Sequence, residues 1–281
     1  MEKRILTTET VEQFRAHLIQ EERSAATVGK YCRDALAFTE YAKGAAVTKE
    51  LAIAYKDKLM TEGCAVRSVN SALAALNGLF SFLGWHELKL KYIKVQRQIF
   101  CPEERLLTKA EYQRLVCAAK LRGKARLCLM LQTICGTGIR VSELRYITVE
   151  AAARGEACVT CKGKTRSIIL VRPLQKKLLR YAAEQKIVSG CIFITRTGRP
   201  LSRTNVWREM KSLCAHADVD PGKVFPHNLR RLFACVFYEM DKDIARLADI
   251  LGHSSIVTTR IYIMTSGAEH RKYMEALRLI L

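Results

Sequence analysis

His227-Asn-Leu-Arg230 opens, and Leu251-Gly-His253-Ser-Ser-Ile-Val-Thr-Thr-Arg-Ile-Tyr262 closes, the stretch on which the reading of this chain turns. Between them runs a helical pattern, Asp243-Ile-Ala-Arg-Leu-Ala-Asp-Ile-Leu-Gly252. Arg230 follows His227 by three residues, so on a helix the two side chains share one face. A guanidinium fork beside an imidazole suits a phosphate: the arginine binds two oxygens and the histidine shares or moves a proton. Tyr262 adds a phenol that can attack phosphorus. Cys235, Asp241, Asp243 and Asp249 within the stretch do not stand at zinc-like spacing to the histidines.

Working outward, charge is the strongest bulk signal. The 281 residues hold 47 Lys and Arg against 27 Asp and Glu, a net charge of +20, with a pI near 9.7. Such a surplus favours a polyanionic partner, and nucleic acid gains from counterion release. Hydrophobic residues make up 49%, enough for one large domain or two ordinary ones. Eleven cysteines in a long chain whose first residues lack an apolar run read as reduced thiols in a cytosolic protein. No apolar run approaches a membrane span. Cys158 and Cys161 form a lone C-x-x-C inside a strand-like alternation, with no second pair to complete a metal site.

Residues 1–97 read as four short helices forming a bundle. Thr7 or Thr8, Ser24 and Thr48 offer N-caps, Ser68 opens the fourth pattern, and Gly44, Gly63 and Gly84 close patterns. Lys30, Arg33, Arg67, Lys89, Lys91 and Lys94 are either a solvated face or a seat for duplex phosphates. A basic stretch without clean period, broken by Pro102, marks a linker at 98–106. A second domain spans 107–281. Thr108-Lys-Ala-Glu111 is a capping box. An apolar helix over about 125–135 ends at Gly136-Thr-Gly138, and the helix start after it would bring free amides and Arg140 together as an anion site. Residues 157–170 alternate as a hairpin with Gly163 at its tip; Lys162, Lys164 and Arg166 either reach a groove or blunt a sheet edge. A helix over 173–186, a short strand at 191–194 and a helix capped by Ser202 complete the approach to Pro226. Met274, Leu277 and Ile280 give the tail an amphipathic helical spacing.

The ordered set Thr137-Gly-Ile-Arg140-Val-Ser-Glu-Leu, Lys162-Gly163, His227-Asn-Leu-Arg230, Leu251-Gly-His253 and Thr258-Thr-Arg-Ile-Tyr262 resembles the tyrosine recombinases of the phage-integrase family, above all the two-domain Xer-like members. Asn70-Ser-Ala-Leu and Leu79-Phe-Ser-Phe-Leu83 extend the likeness into the helical region. Departures are Arg231 where members often carry His, and Ile263-Met264 after Tyr262. The resemblance implies a mainly α fold with a small antiparallel sheet: a four-helix SAM-like core-binding domain and an α+β catalytic domain. It implies site-specific cutting and rejoining of duplex DNA without metal or ATP. Tyr262 is then the nucleophile forming a 3′-phosphotyrosine, Arg140 and Arg230 the phosphate clamps, His253 a further donor, His227 the base and Lys162 the acid for the leaving 5′ oxygen, with Lys164 as a substitute. It further implies a cytoplasmic, nucleoid-associated protein that forms a tetramer on DNA through its C-terminal helix. A partner recombinase or accessory factor stays open. Two other readings also stand at this stage: a type IB topoisomerase-like relaxing enzyme, and a non-catalytic architectural DNA-binding protein.

Overall fold

Thr7, Ser24 and Thr48 each turn a side-chain oxygen onto a backbone amide three residues on, and three helices begin at those points. A computed structural model of the chain describes residues 4–95, 106–161, 164–263, 271 and 274–277. The chain divides into two units, Met1–Arg97 and Gln98–Leu281. In the first, α1 (Thr8–Gln20), α2 (Ala25–Ala42), α3 (Lys49–Thr61) and α4 (Val66–Phe82) pack around Phe14, Phe38, Leu73, Leu76 and Phe80. The fourth helix starts before the expected Ser68: the amide of Ser68 already bonds the carbonyl of Ala65. Asn70 and Asn77 lie two turns apart on α4, and each bonds both backbone groups of one residue in the segment that follows. Asn77 holds Leu90 at 2.7 and 2.9 Å, and Asn70 holds Ile93 at 2.8 and 2.9 Å. The amide side chains stand in for a strand partner and fix the basic stretch from Lys89 to Lys94 along the bundle.

In the second unit, α5 (Lys109–Leu121) opens on the expected Thr108–Glu111 capping box, and α6 (Ala125–Thr137) carries the central apolar stretch. A 3₁₀ segment Val141–Tyr146 and α7 (Val149–Arg154) lead to an antiparallel hairpin of β1 (Glu156–Cys161) and β2 (Lys164–Ile169), with Glu156 opposite Ile169 and Cys161 opposite Lys164. Then follow α8 (Arg172–Glu184), α9 (Arg203–Lys211), α10 (Cys214–Ala217), α11 (Pro226–Asp241), α12 (Ile244–Leu251) and α13 (Ile256–Tyr262). The main core gathers Leu115, Leu127, Met130, Ile134, Leu178, Phe193 and Leu229. A smaller cluster of Ala234, Leu247, Leu251 and Tyr262 binds the last three helices to one another.

The strand expected at 191–194 does not form. Cys191 and Ile194 each make one isolated bridge, to Thr148 and Pro200, and no second residue pair extends either into a ladder. Among the described residues, no helix is long and apolar enough to cross a membrane, and no group of three His, Cys, Asp or Glu gathers as for a metal. All of the expected linker but residue 106, the hairpin tip and most of the tail helix lie outside the described residues.

Candidate active site

Gly138 begins the site. It ends α6 with φ +64°, its amide on the carbonyl of Ile134. A Cβ there would overlap the Phe233 ring. The turn needs a left-handed residue, and the close approach of α11 leaves no room for a side chain. Gly138→Ala should therefore lower stability by about 1–3 kcal/mol through strain and overpacking. Urea denaturation checks this, and an unchanged midpoint would refute it.

Two residues on, Arg140 is extended and Glu143 folds back onto it. The Arg140 amide donates to Glu143 Oε2 at 2.7 Å and its Nη1 to Oε1 at 3.0 Å. The expected anion site is narrowed: the segment is 3₁₀ and a carboxylate of its own sequence takes the Arg140 amide, while Val141 and Ser142 line the cleft beside Arg140. Glu143 is only 3% exposed. Arg166 Nη2 meets its Oε2 at 2.6 Å and Arg230 Nη1 lies 4.0 Å from the same oxygen. Three guanidiniums thus surround one buried carboxylate, and the surplus positive charge favours an anion in the cleft.

Arg230 is 1% exposed. Its Nη1 donates to the carbonyl of Gly138 and its Nη2 to that of Leu251, both at 2.6 Å. Nη2 also lies 3.0 Å from His253 Nε2. An arginine only donates, so His253 Nε2 accepts here and carries no proton. The proton of the neutral ring then sits on Nδ1, 2.9 Å from Thr259 Oγ1. Burial first, then Arg230 and Arg140, lowers His253 to about 4, so the ring is neutral at pH 7. The donor role expected for His253 requires the other tautomer or a gained proton. Burial, then Arg140, lowers Arg230 to about 10, which leaves it ionised at neutral pH.

Tyr262 ends α13 and is 8% exposed. Its ring centroid lies 4.9 Å from that of His227 and 5.0 Å from that of His253, and the Arg230 guanidinium lies 5.9 Å from it. The hydroxyl is 3.5 Å from His227 Nδ1, long for a hydrogen bond but within reach of one. Burial, then Arg230 and Arg231, holds His227 below its ordinary value. His227, Arg230 and Arg140 line a cleft of about 580 Å³ that also includes Arg203, Thr204 and Trp207 of α9.

Arg140, His227, Arg230, His253 and Tyr262 therefore come together. Lys162 lies outside the described residues, and of Lys164 only the backbone pairing is described. Arg166 does not reach for a groove. Its side chain is 14% exposed and turned inward onto Glu143. Sequence reasoning missed Glu143, Thr259, Arg203 and Trp207. An acid three residues after Arg140 is a capping signal that points to Glu143, whereas α9 reaches the cleft only through the tertiary fold.

Residues 105–269 match the phage integrase family, and residues 11–87 match the phage integrase N-terminal SAM-like domain. The chain belongs to the phage integrase family. As a member, it pairs a SAM-like domain with the integrase catalytic domain. It is 29% identical over 289 residues to tyrosine recombinase XerA of Pyrococcus furiosus, covering 100% of this chain and 98% of that relative. A lambda integrase dimer bound to a core site shares the fold with a TM-score of 0.74 at 18% identity, over 93% of this chain and 96% of that one. The XerH site-specific recombinase bound to its difH substrate gives 0.71 at 18% identity, over 96% and 84%.

Proposed function

We propose that this integrase-family chain is a site-specific recombinase that cuts and rejoins duplex DNA through a 3′-phosphotyrosine. The observation that carries this reading is the seat of Tyr262, a phenol held between His227 and His253 in front of the buried Arg230. A scissile phosphodiester in the cleft meets Arg140 and Arg230, which neutralise its nonbridging oxygens and favour the charge gained in the transition state. Tyr262 Oη attacks phosphorus, His227 takes the phenolic proton, the bond to the 5′ oxygen breaks, and that oxygen leaves as a hydroxyl. Lys162 supplies its proton. His253 serves as a further donor once Arg230 turns from it to the phosphate and its ring proton moves from Nδ1 to Nε2, with Thr259 Oγ1 then donating to Nδ1. The ester with Tyr262 conserves the bond, so a 5′-hydroxyl from another strand reverses the step. Residues 1–97 grip the core site, residues 98–106 link them to the catalytic domain, and the C-terminal helix joins protomers into a tetramer on nucleoid DNA in the cytoplasm.

Covalent trapping on nicked suicide duplexes drawn from a randomised library tests this. A stable adduct on a selected sequence supports the reading. Sequence-tolerant binding without an adduct on any duplex would replace it with an architectural role. The pH profile adds a second check. His227 must be neutral to accept a proton, and burial holds its value below 6.5, so cleavage should be flat on the alkaline side of that lowered value and fall only at lower pH, as the imidazole gains a proton. His227→Gln should lower the plateau by about 10²-fold and flatten this limb. A limb of unchanged shape would exclude His227 as the base.

A further inference from the structure

Arg166 spans two walls of the site without facing the cleft. It leaves β2 opposite Val159, and its Nη2 meets Glu143 Oε2 at 2.6 Å. Its Nη1 donates to the carbonyl of Ile250, near the end of α12. Gly252, in the turn that leads to His253, lies against its stem so closely that a Cβ there would overlap Arg166 Cδ. Glu143 in turn holds both the amide and the guanidinium of Arg140, and the carbonyl of Gly252 lies 3.4 Å from Arg140 Nη2. One forked cation therefore ties the hairpin, the Arg140 segment and the His253 turn together.

We propose that Arg166 is a positioning residue for phosphoryl transfer: it fixes Glu143, and through it Arg140, against the turn that carries His253. The proposal rests on the recombinase reading above. Without Arg166, Glu143 Oε2 keeps only the Arg140 amide at 2.7 Å, with Arg230 Nη1 at 4.0 Å as a competing cation. A carboxylate swinging toward it would draw Arg140 out of register with the phosphate. A lysine cannot replace the fork, because a single ammonium does not hold Glu143 and the Ile250 carbonyl in the same planar geometry.

The test uses the full chain on a duplex selected by wild-type trapping, with either a phosphodiester or a charge-neutral methylphosphonate at the scissile position. The methylphosphonate lacks one anionic oxygen and so depends less on Arg140. Arg166→Gln should slow adduct formation about 100-fold on the phosphodiester, the scale of a small misplacement of a clamp. On the methylphosphonate its deficit should shrink to within about threefold, while duplex affinity stays near the wild-type value. Arg166→Lys should fall between the two proteins, and it carries the test if the glutamine variant unfolds. Equal deficits on both substrates would mark a merely structural residue and overturn the proposal, as would a wild-type rate in either variant. A wild type that forms no adduct on any duplex overturns the recombinase reading and this inference with it.

Discussion

Tyr262→Phe is expected to bind duplex DNA with near wild-type affinity and to form no covalent adduct. The two halves of that result have separate physical causes. The ring of Tyr262 is 8% exposed, joins the cluster of Ala234, Leu247 and Leu251, and lies against two imidazoles. Phenylalanine keeps all of that packing. The hydroxyl contributes one long contact, 3.5 Å to His227 Nδ1. Its loss should therefore change stability by no more than about 1 kcal/mol. The chemistry has no such reserve. Oη is the proposed attacking atom, and deleting a nucleophile costs about 10⁶-fold in comparable covalent enzymes, effectively the whole reaction on a gel. Native gel shift and denaturing gel, run on the same suicide duplex, read the two halves separately. An adduct that persisted at the wild-type level would remove Tyr262 from the role, and loss of duplex binding would show that the substitution had disturbed the fold.

The sequence held more of the site than of its support. His227 and Arg230 were legible because spacing of three on a helix fixes a shared face, and α11 begins at Pro226 as the fixed φ of proline favours. Gly252 and Asp243 bound α12 for equally local reasons: a left-handed C-cap at φ +63° and a carboxylate on two free amides. Glu143 was missed and Arg166 misread because the pair they form joins positions 23 residues apart. Glu143 sits among Arg140, Arg166 and Arg230, and no periodicity shows that a strand residue turns inward to reach it. The segment from Cys191 to Ile194 fails as a strand for a related reason. Its continuous apolar run satisfies burial, with Ile192 and Phe193 fully buried, but a ladder needs a neighbouring strand that the surrounding helices do not provide.

Arg230 should give the other large effect, and there stability and activity should part. The side chain is 1% exposed and supplies donors to the carbonyls of Gly138 and Leu251 and to His253 Nε2. Arg230→Ala leaves those acceptors unpaired beside a void, and should lower stability by about 2–4 kcal/mol. Burying this cation also carries a cost, since desolvation and the charge of Arg140 both disfavour its ionised form. Arg230→Met fills much of the void and removes the repulsion, so its loss should be smaller, about 1–2 kcal/mol. The activity of the two variants should nevertheless fall alike, by about 10³-fold, because neither places a positive charge at the phosphate. Arg230→Lys keeps the charge but cannot bridge Gly138 and Leu251 at once, and should lose about 10²-fold. Urea denaturation beside single-turnover adduct formation separates the two scales. If activity followed stability across the three variants, Arg230 would be a structural tie between α6 and α12. A methionine variant that is the more stable of the two neutral ones yet as inactive as alanine would instead identify the guanidinium as the group that meets the phosphate.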